Sequence, residues 1–81
     1  MAADPQLKDA ICAAVSLRLP MGWKIIASEF FDCGAQVGVC IQHEAQEALP
    51  PSERRRWASR ANLSDPEMVD TMIERLSRAW S

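Results

Sequence analysis

The segment from Trp23 to His43 limits the possible folds most, because its pattern is that of a β-hairpin with apolar residues on both faces. Successive side chains alternate across a strand, so the apolar residues fall into two sets. The first set is Trp23, Ile25, Ala27 and Phe31, and the second is Ile26, Phe30 and Cys40. A chain of 81 residues has few other elements to cover both faces, so we expect one face to bind another protein.

The turn of this hairpin is predicted at residues 32–34, whose final glycine suits the left-handed position of a three-residue loop with a G1 bulge. Such a loop pairs Phe31 with Ala35 near the turn and Ile25 with Ile41 near the open end. A two-residue loop would instead shift the whole register by one residue and turn every side chain to the other face. We favour the three-residue loop.

Helix signals precede and follow the hairpin. Asp4 as N-cap and Pro5 at the first helical position start a helix that runs to about Arg18. After the hairpin, residues 43–49 are mostly helix formers and favour a short helical turn. The proline pair at 50–51 ends that turn, because proline cannot continue a helix.

The last predicted helix has the clearest start signals. Ser64 is the expected N-cap, Glu67 completes a capping box, and Leu63 and Met68 form a hydrophobic staple around them. Apolar residues then follow at helical spacing as far as Trp80. This helix is therefore expected to supply much of the core.

A further helix is predicted between the hairpin and the last helix, from about Ser52 to Ala61, where Trp57 and Ala61 lie one helical turn apart. The element order is then helix, antiparallel β-hairpin, helix, helix, with the helices packed on one face of the sheet. We predict a small single α+β domain that spans residues 1–81.

Length and composition are those of one small globular protein, with 48% hydrophobic and 25% charged residues. A domain of this size buries only about 60% of the surface of its unfolded chain, so a partner or a second copy would add stability. Three cysteines without a Cys-x-x-Cys pair argue against a disulfide framework and a zinc site. Neither a signal peptide nor a long apolar run is visible, so we expect a cytoplasmic protein without membrane contact.

Catalytic chemistry has few candidates in this sequence. His43 is the single histidine and would have to serve any Cys-His or Ser-His pair. Cys33 lies at the predicted hairpin tip, about 26 Å from His43 at the open end. Cys40 lies three residues from His43 on one strand and therefore faces the opposite side. We expect no enzyme activity, no cofactor and no metal site.

Charge is unevenly distributed along the chain. Residues 1–53 contain three basic and seven acidic residues, whereas residues 54–81 contain six arginines and four acidic residues. The alternative function is nucleic-acid binding, with arginines on phosphates and Trp57 stacked on a base. Its candidate residues are Arg54, Arg55, Arg56 and Arg60. A net charge of −2 and a pI of about 5.2 make this interpretation the less favoured one.

The preferred prediction is a non-enzymatic protein-binding module that acts as a regulator or inhibitor and forms a homodimer through the hairpin. The predicted partner-binding residues are Ile26 and Phe30 on the second hairpin face, with Trp80 as an anchor in the last helix. In size and element plan the chain is similar to small accessory proteins such as phage-encoded inhibitors of host defence, anti-CRISPR proteins among them. This is a similarity of class, and no family motif accompanies it.

Overall fold

Three antiparallel strands and two helices form the part of the chain that the computed structural model describes, residues 4–81. The helices are α1 (Pro5–Ser16) and α2 (Met68–Leu76), and the strands are β1 (Trp23–Phe31), β2 (Gln36–His43) and β3 (Trp57–Asn62). Short 3₁₀ turns lie at Asp32–Gly34, Glu44–Ala48, Pro51–Glu53 and Ser77–Ala79. The strands follow one another in the order β1-β2-β3. The predicted α+β class is confirmed, while the first three residues of the predicted domain lie outside the described residues.

Residues 57–62 form the third strand, so the helix predicted over this segment is wrong. The even-numbered residues of the segment are exposed, whereas Trp57, Ser59 and Ala61 are at least partly buried. That period of two is typical of a strand with one covered face. The spacing of Trp57 and Ala61 fits both structures, because side chains four residues apart share a face in a helix and in a strand. Antiparallel pairing with β2 decides between them.

The hairpin contains both candidate registers, one on each side of an extra residue in β1. Ile25 lies opposite Ile41, which confirms the register of the three-residue loop at the open end. Nearer the turn, Phe30 lies opposite Val37, which is the register of the rejected two-residue loop. The register shifts at Ile26, which has no partner of its own on β2 and forms a β-bulge. The predicted division of the hairpin into faces is therefore wrong beyond the bulge.

The hairpin turn is longer than predicted, since four residues separate the two strands. Backbone φ is positive at Asp32 (53°), Cys33 (54°) and Gly34 (91°). The left-handed glycine is confirmed, and Asp is one of the few other residues that tolerates this conformation. Because of the added residue, Phe31 pairs with Gln36 and not with Ala35.

Helix α1 starts where the sequence predicts. The carboxylate of Asp4 accepts a hydrogen bond from the backbone N–H of Gln6 at 2.9 Å, and Pro5 occupies the first helical position. The helix ends at Ser16, two residues before the predicted Arg18. Beyond it, two N–H groups bond to carbonyls three residues back, which tightens the chain into a 3₁₀-type turn.

Helix α2 begins later than predicted, at Met68, and Asp65 replaces Ser64 as its capping side chain. One Asp65 oxygen accepts the backbone N–H of Glu67 at 2.9 Å, and the other accepts the Thr71 hydroxyl at 3.4 Å. Glu67 makes no side-chain cap bond. The predicted capping box of Ser64 and Glu67 is therefore wrong, because the residue after Ser64 offers a charged acceptor nearer the first free N–H groups.

Helix α1 lies beside β1 and α2 beside β3, and both contribute to one hydrophobic core with β2. Val37, Val39 and Ile41 alternate along that strand and are at most 2% exposed. The core is completed by buried residues of the helices and of β3, namely Ile11, Val15, Ala61, Met72 and Leu76. Since side chains alternate across a strand, the opposite face of the sheet lies away from this core.

The first prediction concerns this core. Leu76→Ala is expected to lower the free energy of unfolding by about 2 to 5 kcal/mol, because the side chain is 2% exposed and its loss leaves a cavity. Leu17→Ala is the matched control, since Leu17 is 87% exposed, and we expect a change within about 0.5 kcal/mol. Urea denaturation measures both variants, and equal effects would contradict the assigned core.

The second prediction concerns the start of α2. Asp65→Ala should cost about 1 kcal/mol of stability, because it removes the acceptor of both capping bonds. Ser64→Ala should stay within about 0.5 kcal/mol of the unmodified protein, as an exposed residue outside the cap. The same urea experiment compares the two neighbours, and a larger loss for Ser64→Ala would reinstate Ser64 as the cap.

Candidate functional site

The candidate site is the side of the sheet opposite the core, which we call the open face. It consists of Ala27, Glu29, Phe31, Gly38, Cys40, Ala58 and Arg60. Ala27, Cys40 and Ala58 form one row across the three strands, Glu29, Gly38 and Arg60 form the next, and Phe31 lies opposite Gln36 at the end of β1. These residues alternate with those that face the helices. An open concavity of about 870 Å³ covers most of this face and continues around β3 to the end of α2. A surface of this kind can hold an extended ligand.

Phe31 forms the aromatic centre of the open face. A side chain on Gly38 would overlap the Phe31 ring, so the glycine is what allows the ring to lie against β2. On β3, the guanidinium carbon of Arg60 lies 4.6 Å from the centroid of the same ring, within the range of a cation–π contact. A glycine, an aromatic ring and a cation from three strands thus form one ordered platform.

Four arginines border the open face on the β3 side, and we call them the arginine rim. Arg56 directly precedes β3 and Arg60 lies within it, while Arg75 lies in α2 and Arg78 in the turn that follows α2. Within residues 4–81 the ion pairs are Arg18 with Asp70 and Lys24 with Glu47, so no rim arginine pairs with a carboxylate of this part of the chain. Of the described residues that line the same concavity, Glu29 is the single acidic one. The rim is therefore a local excess of positive charge on a protein of net charge −2.

The rim also borders an unpaired strand edge. Among the described strands, β3 is the last in the sheet and pairs on one side only, with β2. The Nη1 group of Arg75 donates a hydrogen bond of 2.9 Å to the backbone carbonyl of Arg60. That carbonyl therefore points away from β2, and the outer edge of β3 is occupied at this point by one exposed side chain.

The candidate nucleophile Cys40 and the candidate base His43 lie on opposite sides of β2. Cys40 lies on the open face, whereas His43 is on the other side of β2 and accepts the backbone N–H of Ala45 at 3.0 Å. Burial raises the pKa of the Cys40 thiol, and the charge of Arg56 opposes this rise only in part. The thiol is thus protonated at neutral pH. Within residues 4–81, no three His, Cys, Asp or Glu side chains come together as a metal site.

The predicted partner-binding residues do not form one surface. Phe30 packs against the core, with the Lys8 ammonium 5.6 Å from its ring centroid, because the bulge turns it towards the helices. Ile26 is the bulged residue and is 39% exposed. Trp80 also packs against the core, and its ring centroid lies 5.6 Å from that of Trp23. The free apolar face predicted from Ile26 and Phe30 is therefore wrong in its geometry.

The predicted arginine cluster is divided between two roles. Arg54 folds back onto the loop before it, where it donates to the backbone carbonyls of Leu49 at 2.9 Å and Glu47 at 3.2 Å. The side chain of Arg55 lies outside the concavity, while Arg56 and Arg60 line it. The structure thus brings two of the four candidates to the site, because residues 56 and 60 share a face of a strand as they would of a helix.

Sequence reasoning misses the other members of the site. Phe31 is assigned to the helix-facing set when the bulge is not recognised, and the local pattern around Ile26 contains no glycine or proline that would mark it. Arg75 and Arg78 reach β3 from a helix that follows it in the chain. The surplus of arginine in residues 54–81 is the one signal that points to them.

Comparison with known proteins gives no relative from which a role could be transferred: no family model matches the chain, and no curated protein or solved structure is significantly similar to it. Among the described residues, no helix has the length and apolar character needed to cross a membrane.

The third prediction tests the platform. Gly38→Ala is expected to destabilise the protein by roughly 1 to 3 kcal/mol, because the added methyl group must displace the Phe31 ring. In a Phe31→Ala background the obstacle is gone, and the same change should be neutral or stabilising. Urea melts of the four proteins in this double-mutant cycle give the coupling energy. Additive effects would show that the ring does not lie over Gly38.

Proposed function

We propose that this protein is a non-enzymatic protein-binding module that engages an acidic partner through the open face and the arginine rim. The role we propose for such a complex is that of a regulator or an inhibitor, which acts by covering a surface of its partner. The observation that carries the proposal is the arginine rim, four cations around one concavity without a carboxylate partner in the described chain.

Arginines without a partner in the chain favour an external anion. Arginine is the side chain best suited to bind carboxylates, because its planar guanidinium forms two parallel hydrogen bonds. It is also among the residues enriched at the centres of protein interfaces, together with aromatic side chains. Arg60 and Phe31 supply both kinds in direct contact. An acidic surface on the partner would match the rim and fix the orientation of the complex.

The thiol and the histidine support a binding role better than a catalytic one. A nucleophilic cysteine needs a base or a positive environment that lowers its pKa, and the pKa of Cys40 is raised. Its only possible histidine partner, His43, faces the other side of the same strand. We therefore assign the concavity to recognition.

Nucleic acid is the second candidate, and the Phe31–Arg60 contact is the observation that favours it. An aromatic ring beside arginines is also how proteins hold single-stranded nucleic acid, by base stacking and phosphate contacts. Against it, Glu29 lines the same concavity and the pI is about 5.2, so phosphates would meet a small positive area on an acidic protein.

The fourth prediction separates these candidates. The immobilised protein is incubated at physiological salt with nuclease-treated lysate of the source organism, and bound proteins are quantified by mass spectrometry. The Arg56→Gln, Arg60→Gln double variant should lose most of the specifically captured protein, because both side chains line the concavity. Arg55→Gln is the matched control, since its side chain lies outside the concavity, and it should retain the captured protein.

Three results would decide against the proposal. Equal capture by both variants would place the binding surface elsewhere. Capture that occurs from untreated lysate but not from nuclease-treated lysate, together with a gel shift of single-stranded oligonucleotides that the double variant abolishes, would establish the nucleic-acid alternative. Loss of capture together with a lowered urea midpoint in the double variant would mean that the arginines act through stability.

A further inference from the structure

We propose that the partner contributes an extended acidic segment that adds to the free edge of β3 as a fourth strand and displaces Arg75 from the Arg60 carbonyl. This inference rests on the proposed function and specifies how the partner is held. Strand addition is a common way for a sheet to bind a peptide, because backbone hydrogen bonds supply affinity and alternate side chains supply specificity.

The hydrogen bond to Arg75 identifies the groups that are available on this edge. In an antiparallel strand, alternate residues direct both the N–H and the C=O to the same side. Because the Arg60 carbonyl is directed outward, Ala58 and Arg60 present their backbone groups away from β2. Ser59 lies between them and directs its backbone groups to β2, opposite Val39. Two residues of β3 are thus ready to pair with an incoming strand.

The two edge strands of the sheet, β1 and β3, differ in their suitability for pairing with an added strand. Strand β1 is interrupted by the bulge at Ile26, and a bulge disrupts regular pairing and is a known protection of edge strands. Strand β3 pairs with β2 over six residues without a register shift. Its outer edge therefore has the regular spacing that another strand requires. The exposed side chain of Arg75 covers this edge at the Arg60 carbonyl.

Charge complementarity specifies the incoming segment. The side chains of an added strand would alternate between the open face, beside Arg56 and Arg60, and the helix side, beside Arg75 and Arg78. Carboxylates on either face would thus meet arginine. Arg75 can exchange its neutral carbonyl acceptor for a carboxylate, and charge-assisted hydrogen bonds are the stronger kind. An acidic segment therefore frees the edge as it binds.

The fifth prediction uses a synthetic peptide in which glutamate alternates with threonine. Titrated into the isotope-labelled protein, it should slow amide hydrogen exchange of Ala58 and Arg60 at least tenfold, because their N–H groups gain acceptors. The amide of Ser59 should change much less, since it is already directed to β2. The matched peptide has the same sequence with every backbone nitrogen methylated, which keeps the charge and removes the N–H donors of both peptide edges, and it should bind at least tenfold more weakly.

A protein variant provides an independent check. Ala58→Pro removes an outward N–H without removing a bond to β2, so it should weaken binding of the peptide while the urea midpoint stays close to that of the unmodified protein. If this variant does not fold, the methylated peptide still decides the question.

Each remaining outcome has a defined meaning. Equal binding of both peptides, or binding without protection of Ala58 and Arg60, would overturn strand addition and leave the proposed acidic partner intact. A failure of the acidic peptide to bind would likewise overturn strand addition. The proposed function would then still be tested by the capture experiment with lysate. Binding of an oligonucleotide in place of the peptide would overturn both.

Discussion

The β-bulge at Ile26 is the feature on which the rest of the structure depends. Without the extra residue, Phe31 would face the helices and Phe30 would face solvent; with it, Phe30 joins the core and Phe31 becomes the centre of the open face. The bulge satisfies two demands that a regular hairpin cannot meet together. Ile25 and Phe30, five residues apart, must both reach the helices, and side chains separated by an odd number of residues face opposite sides of a regular strand. One inserted residue restores the same face for both.

Much of the fold could be predicted from the sequence, and the successful parts share a physical cause. The start of α1, the left-handed glycine and the end of the hairpin at His43 depend on residues close together in the chain, whose conformational preferences act locally. The errors concern choices that distant residues decide. The segment with Trp57 and Ala61 is compatible with helix and strand, and β2 selects the strand by offering its free edge. Local propensity could not reveal that edge.

The site is less predictable than the fold for the same reason. Arg56 and Arg60 could be grouped from their spacing, because four residues preserve the face in either structure. Arg75 joins them because α2 packs along β3, fifteen residues later in the chain, and donates to a carbonyl of the strand edge. Trp80 shows the converse case. An aromatic residue late in the sequence suits an interface or a core equally, and in this chain Trp80 packs against Trp23, which also contacts Trp57.

The uneven charge of the sequence acquires a spatial meaning in the folded chain. Several cations outside the rim have partners within the described chain: Arg18 and Lys24 pair with carboxylates, and Arg54 bonds to backbone carbonyls. The Lys24 ammonium also lowers the pKa of the Glu47 carboxyl, through a hydrogen bond and its charge. The rim is different, since its contacts within the described chain are with neutral groups: Arg75 donates to the Arg60 carbonyl on the unpaired strand edge, and Arg60 lies beside the Phe31 ring. Because uncompensated cations and an unpaired edge occur at the same place, a ligand that supplies both carboxylates and backbone acceptors satisfies both at once. An extended acidic segment has this chemistry, whereas a folded acidic surface or a phosphate backbone supplies only the charge.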